Sequence, residues 1–149
     1  MIELVDIQVS DDVTDLPDTQ RIKKWVTEVF SVLNRSPITV TIRIVGEGEM
    51  LSLNRRYRGK DHPTNVLSFP FEPIPNICTD LLGDIVICAP VVKREALAEK
   101  KLISDHWAHM IFHGMLHLCG YHHDDDEEAI EMEALEKKLL SKFGVANLL

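Results

Sequence analysis

The run His113-Gly114-Met115-Leu116-His117-Leu118-Cys119-Gly120-Tyr121-His122-His123 sets three histidines in the pattern H-x3-H-x2-G-x2-H. Positions i and i+4 share one face of a helix, so His113 and His117 can grip one ion together. Gly120 permits the left-handed turn that other residues resist. That turn can bring the chain back so that His123 reaches the same ion. Three imidazoles with a fourth position left open is the arrangement of a catalytic zinc site rather than a structural one. Histidines with no ligand would account for each residue singly and leave the spacing unexplained.

The metzincin proteases share this spacing, and they carry Glu directly after the first histidine as general base. Here that position is Gly114, which cannot accept a proton, so the peptide-hydrolysis reading is weakened. His109 stands four residues before His113, and spacing alone admits it as a ligand. Only Gly120 and His123 select the later pair, so His106 and His109 read as satisfied histidines or as supports of the ligands. Cys119 is two residues from His117 and points to a different helical face, which favours a small packed side chain over a ligand.

The elements that must carry these residues are legible in outline. Residues 105–119 are apolar nearly all round, which predicts a helix buried at the centre of the fold. Ser104 is its expected N-cap, with Asp105 favouring the helix dipole. Residues 38–45 alternate strictly, with Ile38, Val40, Ile42 and Ile44 on one face and Thr39, Thr41 and Arg43 on the other. Further strands are expected at 2–9, 65–69 and 81–88, the last with Gly83 at a bulge or close approach. Helices are expected at 18–33, at 49–57 with Met50, Leu53 and Tyr57 inward, and at 90–101. Residues 71–80, with Pro73 and Pro75, read as a loop. Asp124 to Glu128 open a last helix running to Phe143, where acids suit the N-terminus.

The chain of 149 residues fits one domain, 1–149. With 45% hydrophobic and 27% charged residues it has the composition of an ordinary soluble globular protein. It has no apolar run of membrane-spanning length and no basic leader before an apolar stretch. Cys78, Cys88 and Cys119 are odd in number and form no C-x-x-C pair, which favours a reducing compartment. The net charge of −8 argues against broad nucleic-acid binding. The segment Arg55-Arg56-Tyr57-Arg58-Gly59-Lys60 is nevertheless locally basic. It is either a solvated face or a basic edge on an acidic body.

Two stretches resemble the YbeY family, bacterial metal-dependent endoribonucleases of ribosomal RNA maturation. Residues 113–123 are similar to that family's HGxLHLxGYDH signature. Residues 57–70, YRGKDHPTNVLSFP, are similar to its other hallmark, YRGKDxPTNVLSFP. Leu82-Gly83-Asp84-Ile85 and His106-Trp107-Ala108-His109 also fit, and length and element order agree over essentially the whole chain. The resemblance implies an α+β fold, a small mixed sheet of about four strands packed with about five helices, the metal site lying on a central buried helix. It implies one Zn2+ per chain on His113, His117 and His123. It implies a catalytic Arg58 in the cleft facing the metal, and RNA contacts from Arg58 and Lys60. It further implies a cytoplasmic single-strand-specific endoribonuclease acting in 16S rRNA 3′ end processing and ribosome quality control. The expected partners are single-stranded RNA, an rRNA precursor, and the small ribosomal subunit or a ribosomal protein, with no membrane and no DNA. The one departure is His122, where the family's pattern has Asp.

The chemistry expected is hydrolysis or transesterification of an RNA phosphodiester. The metal supplies positive charge, and Arg58 offers a forked guanidinium to the non-bridging oxygens. Lysine could not bind two oxygens in that geometry. No general base is written in the sequence; His122, Asp124 and the RNA 2′-hydroxyl are candidates, and Ser68 lies in no nucleophile motif. Two other classes remain. One is a metal-dependent protease-like hydrolase, opposed by Gly114. The other is a non-catalytic ribosome-assembly factor with a structural metal, which the acidic net charge suits.

Overall fold

The computed structural model describes residues 4–71 and 81–145. Beyond Phe71, the loop expected over 71–80, Cys78 with it, lies outside the described residues. The described elements run β1 (Val5–Val9), α1 (Thr19–Val32), β2 (Thr39–Val45), α2 (Glu47–Arg58), β3 (Val66–Pro70), β4 (Leu81–Cys88), α3 (Ala89–Ala98), α4 (Ile103–Leu118) and α5 (Asp126–Lys142). The strands form one mixed sheet in the order β1-β2-β4-β3. β1, β2 and β4 are parallel, and β3 is antiparallel to β4. The fold is the α+β class expected, four strands and five helices among the described residues.

The two-residue period of β2 and β4 explains how the sheet is covered. Val40, Ile42 and Ile44 of β2 and Ile85 and Ile87 of β4 enter the larger apolar cluster, together with α1 and α4. Val45, Val86 and Cys88 face the other way, into a smaller cluster with Met50 of α2 and Val91 of α3. Successive side chains of a strand point to opposite faces, so β4 is apolar at every position but the exposed Asp84 because most of both its faces is buried. Gly83 sits at a register shift between β2 and β4. It has φ +154°, and a Cβ there would fall 2.5 Å from the Phe69 carbonyl oxygen, so the expected close approach is present.

α4 packs on α1, α3, α5, β3 and β4, which makes it the central element. Trp107, Ile111, Phe112, Met115 and Leu116 are essentially fully buried. Each such side chain contributes about 1.5–3 kcal/mol by leaving water. The helix begins two residues earlier than expected. Leu102, in extended conformation, is its N-cap and offers no side-chain bond, so Ser104 is not the cap but lies inside the first turn. Asp105 remains in that turn, where the dipole favours it.

α2 also differs from expectation. It starts at Glu47 and runs to Arg58, with Gly59 in the left-handed conformation at its end. Met50 is buried, but Tyr57 is 52% exposed and meets the Phe69 ring edge-on. The apolar stripe of this short helix therefore ends before Tyr57. α5 is capped by Asp125, whose carboxylate accepts from the Glu128 amide at 2.8 Å, as the acid-rich start suggested. No helix among the described residues is long and apolar enough to cross a membrane.

Candidate metal centre

α4 places His113 and His117 one turn apart with their Nε2 atoms 3.1 Å from each other. The helix then stops. Gly120 has φ +98°, its amide donates to the His117 carbonyl, and the Tyr121 amide donates to that of Leu116. This left-handed turn returns the chain along the helix end and brings the His123 ring to 5.7 Å from His113 and 5.1 Å from His117. One nitrogen from each of the three rings lies within 4.8 Å of the others.

That spacing fits a metal ion. Two imidazole nitrogens on one tetrahedral zinc, each about 2.0–2.1 Å from the ion, stand about 3.3 Å apart. The His113–His117 pair already has this separation. His123 is exposed, so its ring has the freedom to close the third position. The set is soft enough for zinc and is shared by other divalent ions.

The electrostatics keep the ligands available. Burial lowers the His117 pKa, and the neighbouring charges of His113 and His123 lower it further, to about 4. Its lone pair therefore stays free at neutral pH. Behind His113 lies Glu136, 4% exposed. Its Oε1 is 2.7 Å from His113 Nδ1 and its Oε2 is 3.1 Å from His109 Nε2. Burial pushes this carboxyl up, but hydrogen bonds from His109 and His113 outweigh it and hold it at about 2.

A cleft of about 600 Å3 opens in front of the three histidines. Arg58 and Lys60 line it, as do His122 and Asp124. The Arg58 guanidinium makes one long contact, Nη2 to the Ser68 carbonyl at 3.5 Å. The other two arginines of the basic segment are engaged elsewhere. Arg55 pairs with Asp61, and Arg56 lies over the Tyr57 ring at 5.3 Å. The loop carrying Lys60 is tied down from below, where buried Asn54 donates to the His62 carbonyl at 2.7 Å. Asn65 at the far wall donates to Glu95 at 3.0 Å, and its carbonyl accepts from the Cys88 amide.

The remaining candidates fall outside the three-nitrogen group. His109 spends Nε2 on Glu136, and His106 spends Nε2 on Glu95 at 2.9 Å. Both are thus satisfied on one ring nitrogen, as their place before the ligand pair suggested. Cys119 is half-buried, and burial pushes its thiol up, against the lowering effect of Arg35. His122 is exposed, with its ring 5.6 Å from that of His117. Gly114 faces Ile85 and Ser68, with no room for a larger side chain unless they shift.

Glu136 is absent from the sequence-based candidates, yet its place in the chain carried a signal. It lies four residues after Met132 and three before Leu139, both buried. An acid on the apolar stripe of an amphipathic helix must find a buried partner.

Comparisons with known proteins find relatives over most of the chain. The family model described as Endoribonuclease YbeY matches residues 6–144. A curated relative from Alteromonas mediterranea, named Endoribonuclease YbeY, is 52% identical over 133 residues, 89% of this chain and 84% of its own length. One of the same name from Colwellia psychrerythraea is 44% identical over 150 residues, 99% of this chain and 97% of its own length. The solution structure of TM1509 from Thermotoga maritima superposes with a TM-score of 0.66 at 27% identity, over 93% of this chain and 87% of that one.

Proposed function

The chain belongs to the YbeY family of endoribonucleases, and from that premise we propose that it cuts single-stranded RNA at a metal held by His113, His117 and His123, with precursor ribosomal RNA as its substrate. The observation that carries this reading is one cleft lined by all three histidines and by Arg58 and Lys60. A divalent cation there, zinc by the donor set, would activate water or offset charge on a phosphoryl oxygen.

The chain's own residues supply the rest. Arg58 has guanidinium donors to spare, because its one hydrogen bond is long. A planar fork of this kind receives two non-bridging phosphate oxygens and stabilises the charge that grows on them. Lys60 adds a second positive charge for the backbone of the RNA. His122 and Asp124 line the same cleft and can accept the proton released by the attacking oxygen, whether of water or of a 2′-hydroxyl.

The net charge of −8 disfavours long-range attraction to bare RNA. It suits delivery to the substrate through a basic partner, and a ribosomal protein of the small subunit, met in the cytoplasm, has that chemistry. The reading is tested with one labelled RNA offered as a single strand and as a duplex, with and without chelator. Cleavage of the single strand alone, abolished by chelator and restored by zinc, is expected. Equal cutting of the duplex, or indifference to chelator, contradicts it.

A further inference from the structure

We propose that Glu136 is a positioning residue for the metal centre: by accepting a hydrogen bond from His113 Nδ1 it fixes that ring's tautomer and aims its Nε2 at the ion. The inference rests on the reading of His113, His117 and His123 as ligands, and it adds a carboxylate contributed by α5.

The geometry is specific. Glu136 Oε1 lies 2.7 Å from His113 Nδ1, and the other nitrogen of the ring, Nε2, faces His117 Nε2 at 3.1 Å. A carboxylate only accepts, so the hydrogen shared with Glu136 sits on Nδ1. That leaves a lone pair on Nε2, as metal binding requires. An imidazole free in water favours the opposite tautomer, so without Glu136 the ring would commonly carry its hydrogen where the metal must bind. A carboxylate on the far nitrogen also makes the ligand more basic.

The second oxygen of Glu136 is held by His109, whose Nε2 is 3.1 Å away. His109 Nδ1 is buried with no hydrogen-bond partner. That is tolerable if Nδ1 carries a lone pair and costly if it carries a hydrogen. His109 therefore donates through Nε2, and its role here is to hold the carboxylate rather than to reach the ion. Met132, Leu139 and Leu140 fix the helix that presents Glu136. A cavity of about 290 Å3 opens beside His109, His113 and Glu136.

The test uses metal-free full-length protein with nitrogen-15 labelled histidine, followed by Co2+ titration against a competing chelator. In the wild type, long-range nitrogen–proton NMR should show His113 with its hydrogen on Nδ1. Glu136→Ala should shift His113 toward the Nε2–H tautomer and weaken Co2+ binding roughly 10- to 100-fold. Glu136→Gln keeps an acceptor oxygen, so it should restore the tautomer and part of the affinity even where the alanine variant is poorly folded. His109→Gln, which leaves the Glu136 carboxylate on His113, should weaken Co2+ binding less than Glu136→Ala does. An unchanged His113 tautomer in Glu136→Ala overturns the proposal and leaves the metal reading standing. So does an affinity loss in His109→Gln as large as that in Glu136→Ala, since the helix contact as a whole would then be responsible. Failure of the wild type itself to bind Co2+ overturns the ligand assignment and the proposal with it.

Discussion

Gly114 of α4 lies so close to Ile85 of β4 that a Cβ on the glycine would stand 3.1 Å from the Ile85 Cγ2. The same Cβ would be 3.3 Å from Ser68 Oγ, which itself donates to the Gly114 carbonyl at 3.3 Å. The helix that bears His113 is thus pressed flush on the sheet by the absence of a side chain at its neighbour. Gly114→Ala should push α4 away from β3 and β4 by a few tenths of an ångström, at a strain cost of about 1–3 kcal/mol that outweighs the roughly 0.5–1 kcal/mol alanine gains over glycine inside a helix. Urea unfolding measures this, and a midpoint equal to wild type would contradict it. Gly114→Glu, which would write the protease motif into the chain, should disrupt packing and yield no peptidase.

Arg58→Lys should lose most RNA cleavage while zinc remains bound. Removing a charge-stabilising donor from such a site lowers kcat by about 100- to 1,000-fold, and lysine cannot reproduce the fork. Arg55→Lys, at an arginine already paired with Asp61, should change cleavage little. Near-normal kcat in Arg58→Lys, with metal content equal to wild type, would remove the residue from the chemistry.

Acid should destabilise the metal-free protein in two overlapping steps of the same sign. His117 is held at about 4, below its ordinary 6.5. The unfolded chain takes up that proton first, so stability falls as pH descends from about 6.5 to about 4. Glu136 is held at about 2, below its ordinary 4.5. Its contribution is complete above about 4.5 and is lost as pH falls toward about 2. Denaturation at a series of pH values should show a plateau near neutrality and a continuous acid decline. A stability maximum near pH 5 would contradict the His117 assignment, and the absence of any decline between about 4.5 and about 2 would contradict that of Glu136.

Chelation should stop cleavage without unfolding the chain. The larger apolar cluster joins the sheet to α1, α4 and α5 through side chains such as Trp25, Ile42 and Leu139, and none of these depends on an ion. Circular dichroism after metal removal should therefore keep its helical signal and a cooperative melt. Unfolding on chelation, with RNA left intact at every metal level, would favour a structural metal in an assembly factor.

The sequence discloses those features whose cause is local. The strict alternation of residues 38–45, the all-round apolar α4 and the H-x3-H-x2-G-x2-H spacing are each local features, and β2, α4 and the histidine cluster form within a residue or two of where they place them. Strand order is different, because β1-β2-β4-β3 depends on which edges meet after the chain has crossed over. The contact from Glu136 to His113 spans 23 residues and two helices. Its only trace was an acid on a buried stripe. Ser104 has the side chain of an N-cap, yet the extended Leu102, which offers no side-chain bond, starts the helix two residues earlier. Tyr57 fits the helical period, yet it lies in the last turn of α2 at the edge strand of the sheet, where it meets the Phe69 ring and stays half exposed.

The central claim is that the three-histidine site of an RNA-cutting family does the cutting in this chain. The direct measurement is cleavage of a labelled single-stranded RNA by wild-type protein and by His117→Ala, purified in parallel and checked for equal folding. The variant lacks one of the three ligands, and His113 and His123 alone cannot hold the ion at comparable affinity. The account predicts cleavage by the wild type and none by the variant. Equal cleavage by both would place the activity elsewhere and contradict the account.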